Sequence, residues 1–228
     1  MKIILLLKPK SGSFLKSELE RWLLISVLFS IVLLSIRIAL TGEFLFTFLI
    51  WNLFLAFIPY AISKWLSRNI DCVHGRLKFS IIFTIWLLFI PNSFYIMTDL
   101  FHLDSFINIP LWFDLTIILS FAWNGLLLGI LSVRQMEKML EDYFFKRTEL
   151  LFIYPVMFLN ALGVYIGRYL RFNSWDIVSN PFQLLKDISD LVLHPFQYKY
   201  VWGMVICFSV FMTLIYILLK KLSDANGR

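Results

Sequence analysis

Charge and cysteine are what this chain has least of. Only 16% of its 228 residues are Asp, Glu, Lys or Arg, against about a quarter in soluble domains. Two cysteines, Cys72 and Cys207, give neither a disulfide framework nor a metal-ligand spacing. No glycine-rich phosphate loop, nucleophile elbow or zinc-protease pair is present. No cofactor and no bound metal are expected from such a pattern.

What is present is hydrocarbon. The chain is 60% hydrophobic, with 24 Phe and 8 Trp, and its mean hydropathy is +0.79. A water-soluble core of this size cannot hide that much apolar surface, so an integral membrane protein follows. The lipid bilayer is its first partner. The net charge of +6 needs no nucleic acid, because membrane topology accounts for where the Lys and Arg fall. Nothing in the sequence names a protein partner.

The apolar runs predict an all-α, polytopic transmembrane bundle of six spans forming one domain over 22–219. The spans fall at about 22–40, 44–66, 79–100, 111–133, 150–172 and 200–219. Residues 1–21 and 220–228 read as cytoplasmic tails. The first run is longer than a signal-peptide core and has no small-x-small cleavage site after it, so it reads as a retained anchor. Basic residues concentrate in the two tails and in the second and fourth loops, which predicts N-in/C-in. Arg168, Arg171, Lys186 and Lys199 run against that rule. Residues 134–149 are expected to continue as helix, with Met136, Leu140 and Phe144 at helical spacing making an amphipathic turn against the bundle or the membrane surface. In the last outer loop, Asn180-Pro181 resembles a helix start. Phe182, Leu185, Ile188 and Val192 then predict an apolar face on a short interfacial helix.

The unusual polar residues collect toward one end of the spans. Arg37 and Glu43 lie at the outer end of span one, with Asn52 near the start of span two. Asp99, His102 and Asp104 follow span three, and Asp114 opens span four. Arg168, Arg171 and Asp176 lie at the end of span five. The inner halves carry almost no charge. Span three is expected to be broken by Pro91, which has no N–H for the carbonyl of Leu87. As a helix it would place Asn92, Tyr95, Asp99 and His102 on one face. Gly125/Gly129 and Gly163/Gly167 have small-xxx-small spacing and read as packing notches.

Two stretches resemble a known family. Residues Trp86 to Leu103 contain Pro91-Asn92-Ser93-Phe94-Tyr95 and Thr98-Asp99-Leu100-Phe101-His102-Leu103. They resemble the first signature of an uncharacterised bacterial family of multi-spanning membrane proteins, a domain of unknown function. Residues Leu162 to Asp176 resemble its second signature. The family form of the first is Pro-Asn-Ala-Pro-Tyr, so a weaker bend is expected here at Ser93-Phe94. The resemblance implies a bacterial cell membrane and a pairing of the two polar stretches, and brings no activity with it.

Four readings of the polar set are open. The first is an ion-pair and hydrogen-bond network of Arg37, Asn92, Tyr95, Asp99, His102, Asp114, Arg168, Arg171 and Asp176 closing the outer end. In the second, Arg168 and Arg171 hold an anionic small molecule or a lipid headgroup. In the third, Asp99 and His102 are the catalytic pair of an extracytoplasmic enzyme acting on lipid or cell-envelope substrate. In the fourth the polar set lines a transport path, against which the apolar inner halves count. An accessory or scaffold role is compatible with the first.

Overall fold

The computed structural model describes residues 11–69, 71–103, 109–144, 149–172 and 176–225. Most of these residues are helical, with no strand among them. In hydrocarbon the main chain must satisfy its own polar groups, and a helix does so within one segment. Six helices are long and apolar enough to cross a membrane. They are α1 (Ser11–Thr41), α2 (Phe48–Leu66), α4 (Arg76–Tyr95) with its 3₁₀ extension Ile96–His102, α5 (Leu111–Tyr143), α6 (Tyr154–Arg168) with the π-helical turn Glu149–Ile153 before it, and α9 (Lys199–Ala225). Short helices α3 (Asp71–His74) and α7 (Asp176–Ser179) and the 13-residue α8 (Pro181–Leu193) lie between them.

The chain departs from the sequence reading at several element ends. Helix α1 already runs from Ser11, so the helix begins ahead of the first span's expected start at 22. Helix α2 starts at Phe48 rather than near 44. Helix α6 stops at Arg168, where 172 was expected. Past 133 the helix does continue, as the charged stretch suggests, and α5 runs without interruption to Tyr143. At 1.5 Å per residue α5 is about 50 Å long, well beyond the ~30 Å hydrocarbon core. Helix α9 carries Lys220 and Lys221 inside its last turns.

Pro91 does not break its span. Helix α4 runs through Pro91 to Tyr95 and then tightens into 3₁₀ winding at Ile96. Neighbouring helices hold this stretch closely. A Cβ on Gly163 of α6 would stand 2.7 Å from Cβ and Cγ of Pro91, and one on Gly167 would stand 3.2 Å from the Tyr95 ring. On the other side, a Cβ on Gly125 or Gly129 of α5 would meet Ile96 at 2.4 Å or Ser93 at 2.8 Å. Both glycine pairs are notches that let α4 approach. Helix α4 therefore sits between α5 and α6, with α2 against α4 and α5. Helix α1 packs on α5 from outside, and α9 on α6.

Apolar residues fill the space between helices and also cover the outside. Trp86, Phe94, Phe121, Met157 and Met212 are buried, while Leu24, Phe54, Ile81, Ile206 and Phe211 are exposed. That outer surface is favourable only in lipid. Hydroxyls within the spans turn back on their own helices: Ser35, Thr41 and Thr213 each donate to the carbonyl four residues earlier.

Helix α8 is amphipathic in two stripes. Leu191 is buried and Leu184 and Ile188 are partly covered by the bundle, while Phe182, Leu185 and Val192 are exposed. The single apolar face expected from the sequence thus divides, with Ile188 turned to protein and the other three turned outward. In its last turn, Asp190 accepts the hydroxyl of Tyr198 and pairs with His194 at 2.9 Å, both from beyond the helix end. The Tyr198 hydrogen bond holds the Asp190 carboxyl below the usual range, helped by His194.

Candidate functional site

The 3₁₀ winding after Tyr95 stacks residues three apart, which sets Asp99 and His102 in one row. Asp99 is wholly buried. Its Oδ2 accepts the Asn52 amide of α2 at 2.7 Å, and its Oδ1 faces Nη2 of Arg168 at 3.2 Å. Arg168 is the last residue of α6, so its reach depends on that helix ending where it does.

Arg168 is the hub. Its Nη2 also donates to the Thr98 carbonyl. Its Nη1 donates to the Tyr95 hydroxyl at 3.3 Å and to Nε2 of His102 at 2.9 Å. A guanidinium only donates, so Nε2 accepts and the His102 ring proton lies on Nδ1. The guanidinium lies 5.1 Å from the centre of the Tyr95 ring and 5.7 Å from that of Phe101, within cation–π range. Its side chain is 13% exposed, and Nε is shut off from solvent with no acceptor among the described residues. His102 is exposed, with its ring edge-on to Phe48 at 5.1 Å.

Other sequence candidates fall elsewhere. Arg37 and Asp114 form a buried pair of their own, Nε to Oδ1 at 2.7 Å and Nη2 to Oδ2 at 3.3 Å, with Arg37 over the Phe46 ring. This pair ties α1 to α5. Arg171 does not join Arg168 on a helical face; the helix has already ended, and Arg171 is exposed with φ +59°. Asp176 opens α7, where the Ser179 hydroxyl donates to it. Asn92 donates to the Phe89 carbonyl of its own helix. Asp104 and Trp175 lie outside the described residues. Among the described residues no three His, Cys, Asp or Glu side chains gather as metal ligands.

A cavity of about 350 Å³ adjoins the Arg168 cluster. Helices α2, α4 and α6 wall it and α8 covers one side with Leu184 and Ile188. Leu55, Leu87, Leu88 and Leu159 line it away from the cluster, while Asn52, Asn92 and Tyr95 line it toward the cluster. Asn52 and Tyr95 belong to both, the first through Asp99 and the second through Arg168.

The opposite end of the bundle holds a second charged cluster, built from residues just beyond the expected ends of spans four and six. Glu137 of α5 is wholly buried. It accepts from Arg134 at 2.7 Å, from Lys220 of α9 at 2.8 Å and from the Tyr216 hydroxyl. Ser63, Ser132, Gln135 and Trp86 add a buried hydrogen-bonded set nearby. A signal for Glu137 was in the sequence: it shares a helical stripe with Val133, Met136 and Leu140, where a charge needs a partner. A cavity of about 430 Å³ lies at this end, but its Arg134 and Lys138 are matched by Glu20 and Asp142, which gives no net sign to a ligand.

Six membrane-length helices tied by buried ion pairs define a multi-pass integral membrane protein. The family described as Protein of unknown function (DUF1361) matches residues 51–215, and the chain belongs to it. No curated protein and no solved structure matches.

Proposed function

We propose that this is a cell-membrane protein whose outward-facing end binds an anionic oxygen, a phosphate or carboxylate, at Arg168 and His102. The observation that carries the reading is the Nε–H of Arg168, buried with no acceptor among the described residues. A buried donor left unpaired costs about 1–3 kcal/mol. Its other nitrogens are held by Asp99, Thr98, Tyr95 and His102, so the guanidinium is fixed before any ligand arrives. Exposed His102 meets the guanidinium at Nη1 and keeps Nδ1–H for a second contact. The outward direction follows from the basic tails and loops.

The test is thermal protection of purified protein by inorganic phosphate and, separately, by phosphatidylglycerol. At least one should raise the unfolding midpoint, and His102→Ala should weaken the effect without lowering the midpoint of the free protein. Absence of protection by either, with a native-like His102→Ala, would leave the cluster a structural tie.

A further inference from the structure

We infer that the cavity beside Arg168 holds one hydrocarbon chain of a bilayer lipid from the leaflet at the Asp99 end. This rests on the anion-site reading above and names its ligand as a lipid rather than a free anion.

The argument starts from depth. On α4 the cavity runs from Leu87 to Tyr95, which at 1.5 Å per residue is about 12 Å. Leu87 stands near the middle of the spanning stretch Arg76–His102, so the cavity occupies the half of the ~30 Å hydrocarbon core at the Asp99 end. The medium facing these three spanning helices there is lipid hydrocarbon, not water.

Polarity follows the same axis. The deep end is Leu55, Leu87, Leu88 and Leu159, and the end toward Arg168 carries Asn52, Asn92 and Tyr95. Chain below and oxygen above is the arrangement of a lipid. Water is a poor occupant of the deep end, which offers it too few polar partners. A wholly empty cavity would forfeit dispersion contacts along its walls. The volume of about 350 Å³ is near the bottom of the ~300–1,000 Å³ range of ligand pockets, which suits one chain rather than a whole lipid.

Helix α8 supplies the remaining wall and the entrance. Leu184 and Ile188 close the cavity, while Phe182 and Phe196, 85% and 91% exposed, project away from the protein. Such an amphipathic helix lies in the membrane interface. A chain entering beneath it leaves its headgroup at interfacial depth, beside the last residue of α6, which is Arg168.

The experiment uses the full chain in phosphatidylethanolamine vesicles containing phosphatidylglycerol with a photoactivatable diazirine on one acyl chain. Labelled peptides are mapped, and the run is repeated with diazirine phosphatidylcholine. The expected result is several-fold enrichment of label on residues 51–55, 87–95 and 159–167 over lipid-facing α9. Leu184→Trp, on the separate helix α8, should lower that enrichment; Leu162→Trp fills the cavity from α6 and serves if the first variant fails to insert. Uniform labelling of all lipid-facing helices overturns the inference, even where inorganic phosphate protects the protein and the anion reading stands. Enrichment that is equal for phosphatidylcholine and phosphatidylglycerol also supports the chain site, because both carry the phosphodiester oxygen that Arg168 would take; enrichment that His102→Ala leaves unchanged overturns the anion reading and, with it, the placing of a headgroup at Arg168.

Discussion

Gly163 of α6 and Pro91 of α4 are in such close register that a Cβ on the glycine would stand 2.7 Å from two carbons of the proline ring. The contact lies where the two recognisable signatures of the sequence meet. It sets the spacing of α4 and α6, and therefore the distance over which Arg168 must reach Asp99.

That relationship gives the first prediction. A proline ring cannot swing aside, so Gly163→Ala should destabilise by about 1–3 kcal/mol through overpacking. Gly167→Ala, whose Cβ would stand 3.2 Å from the Tyr95 ring, should cost less, and Gly203→Ala, with nothing within 4 Å, should be near neutral. Thermal midpoints of the three purified variants check the order; Gly163→Ala matching Gly203→Ala would sink the account.

The Asp99–Arg168 pair should behave as a unit. Breaking a buried pair by removing one partner costs about 3–5 kcal/mol, discounted here because Arg168 keeps 13% side-chain exposure. Asp99→Asn and Arg168→Gln should each lower membrane abundance and thermal midpoint, and the double variant should lose less than their sum. A double-mutant cycle reads the coupling, and simple additivity would show that the two charges do not depend on each other.

Glu137 should matter as much at the other end. Glu137→Ala leaves Arg134 with Asp224 and Lys220 with Glu149 as their remaining carboxylates, so it is expected to cost less than the ~3–5 kcal/mol of a buried pair broken outright. Glu137→Gln keeps hydrogen-bonding capacity and should be milder, and adding Lys220→Met should recover part of the loss. Exposed Lys138→Ala is the control. Equal midpoints for Glu137→Ala and Lys138→Ala would refute a structural role for this cluster.

The proposed orientation is checked by reporter fusions. Fusions at Lys78 and Lys146 should report cytoplasm, and fusions at Ser105 and Ser189 should report the outside. A cytoplasmic signal at Ser189 would reverse the end at which Arg168 lies and remove the outward-facing site.

The sequence by itself determined the class and the order of elements. Long apolar runs have one stable main-chain solution in lipid, so residues such as Phe48–Leu66 and Lys199–Ala225 had to be helices. Periodicity also marked the glycine notches and the interfacial α8, because those signals are local. Tertiary structure decided the partners. Arg37 chooses Asp114, Asp99 is shared by Asn52 and Arg168, and Glu137 takes Lys220, across separations of 47 to 83 residues that no periodicity encodes. It also decided that Arg171 stays outside, because α6 ends at Arg168 and the chain turns left-handed at Arg171. Helix wheels extended past that end put two arginines side by side that the folded chain separates. The burial of Glu137 is likewise a tertiary fact: a neighbouring helix brings the cation that makes a buried charge tolerable.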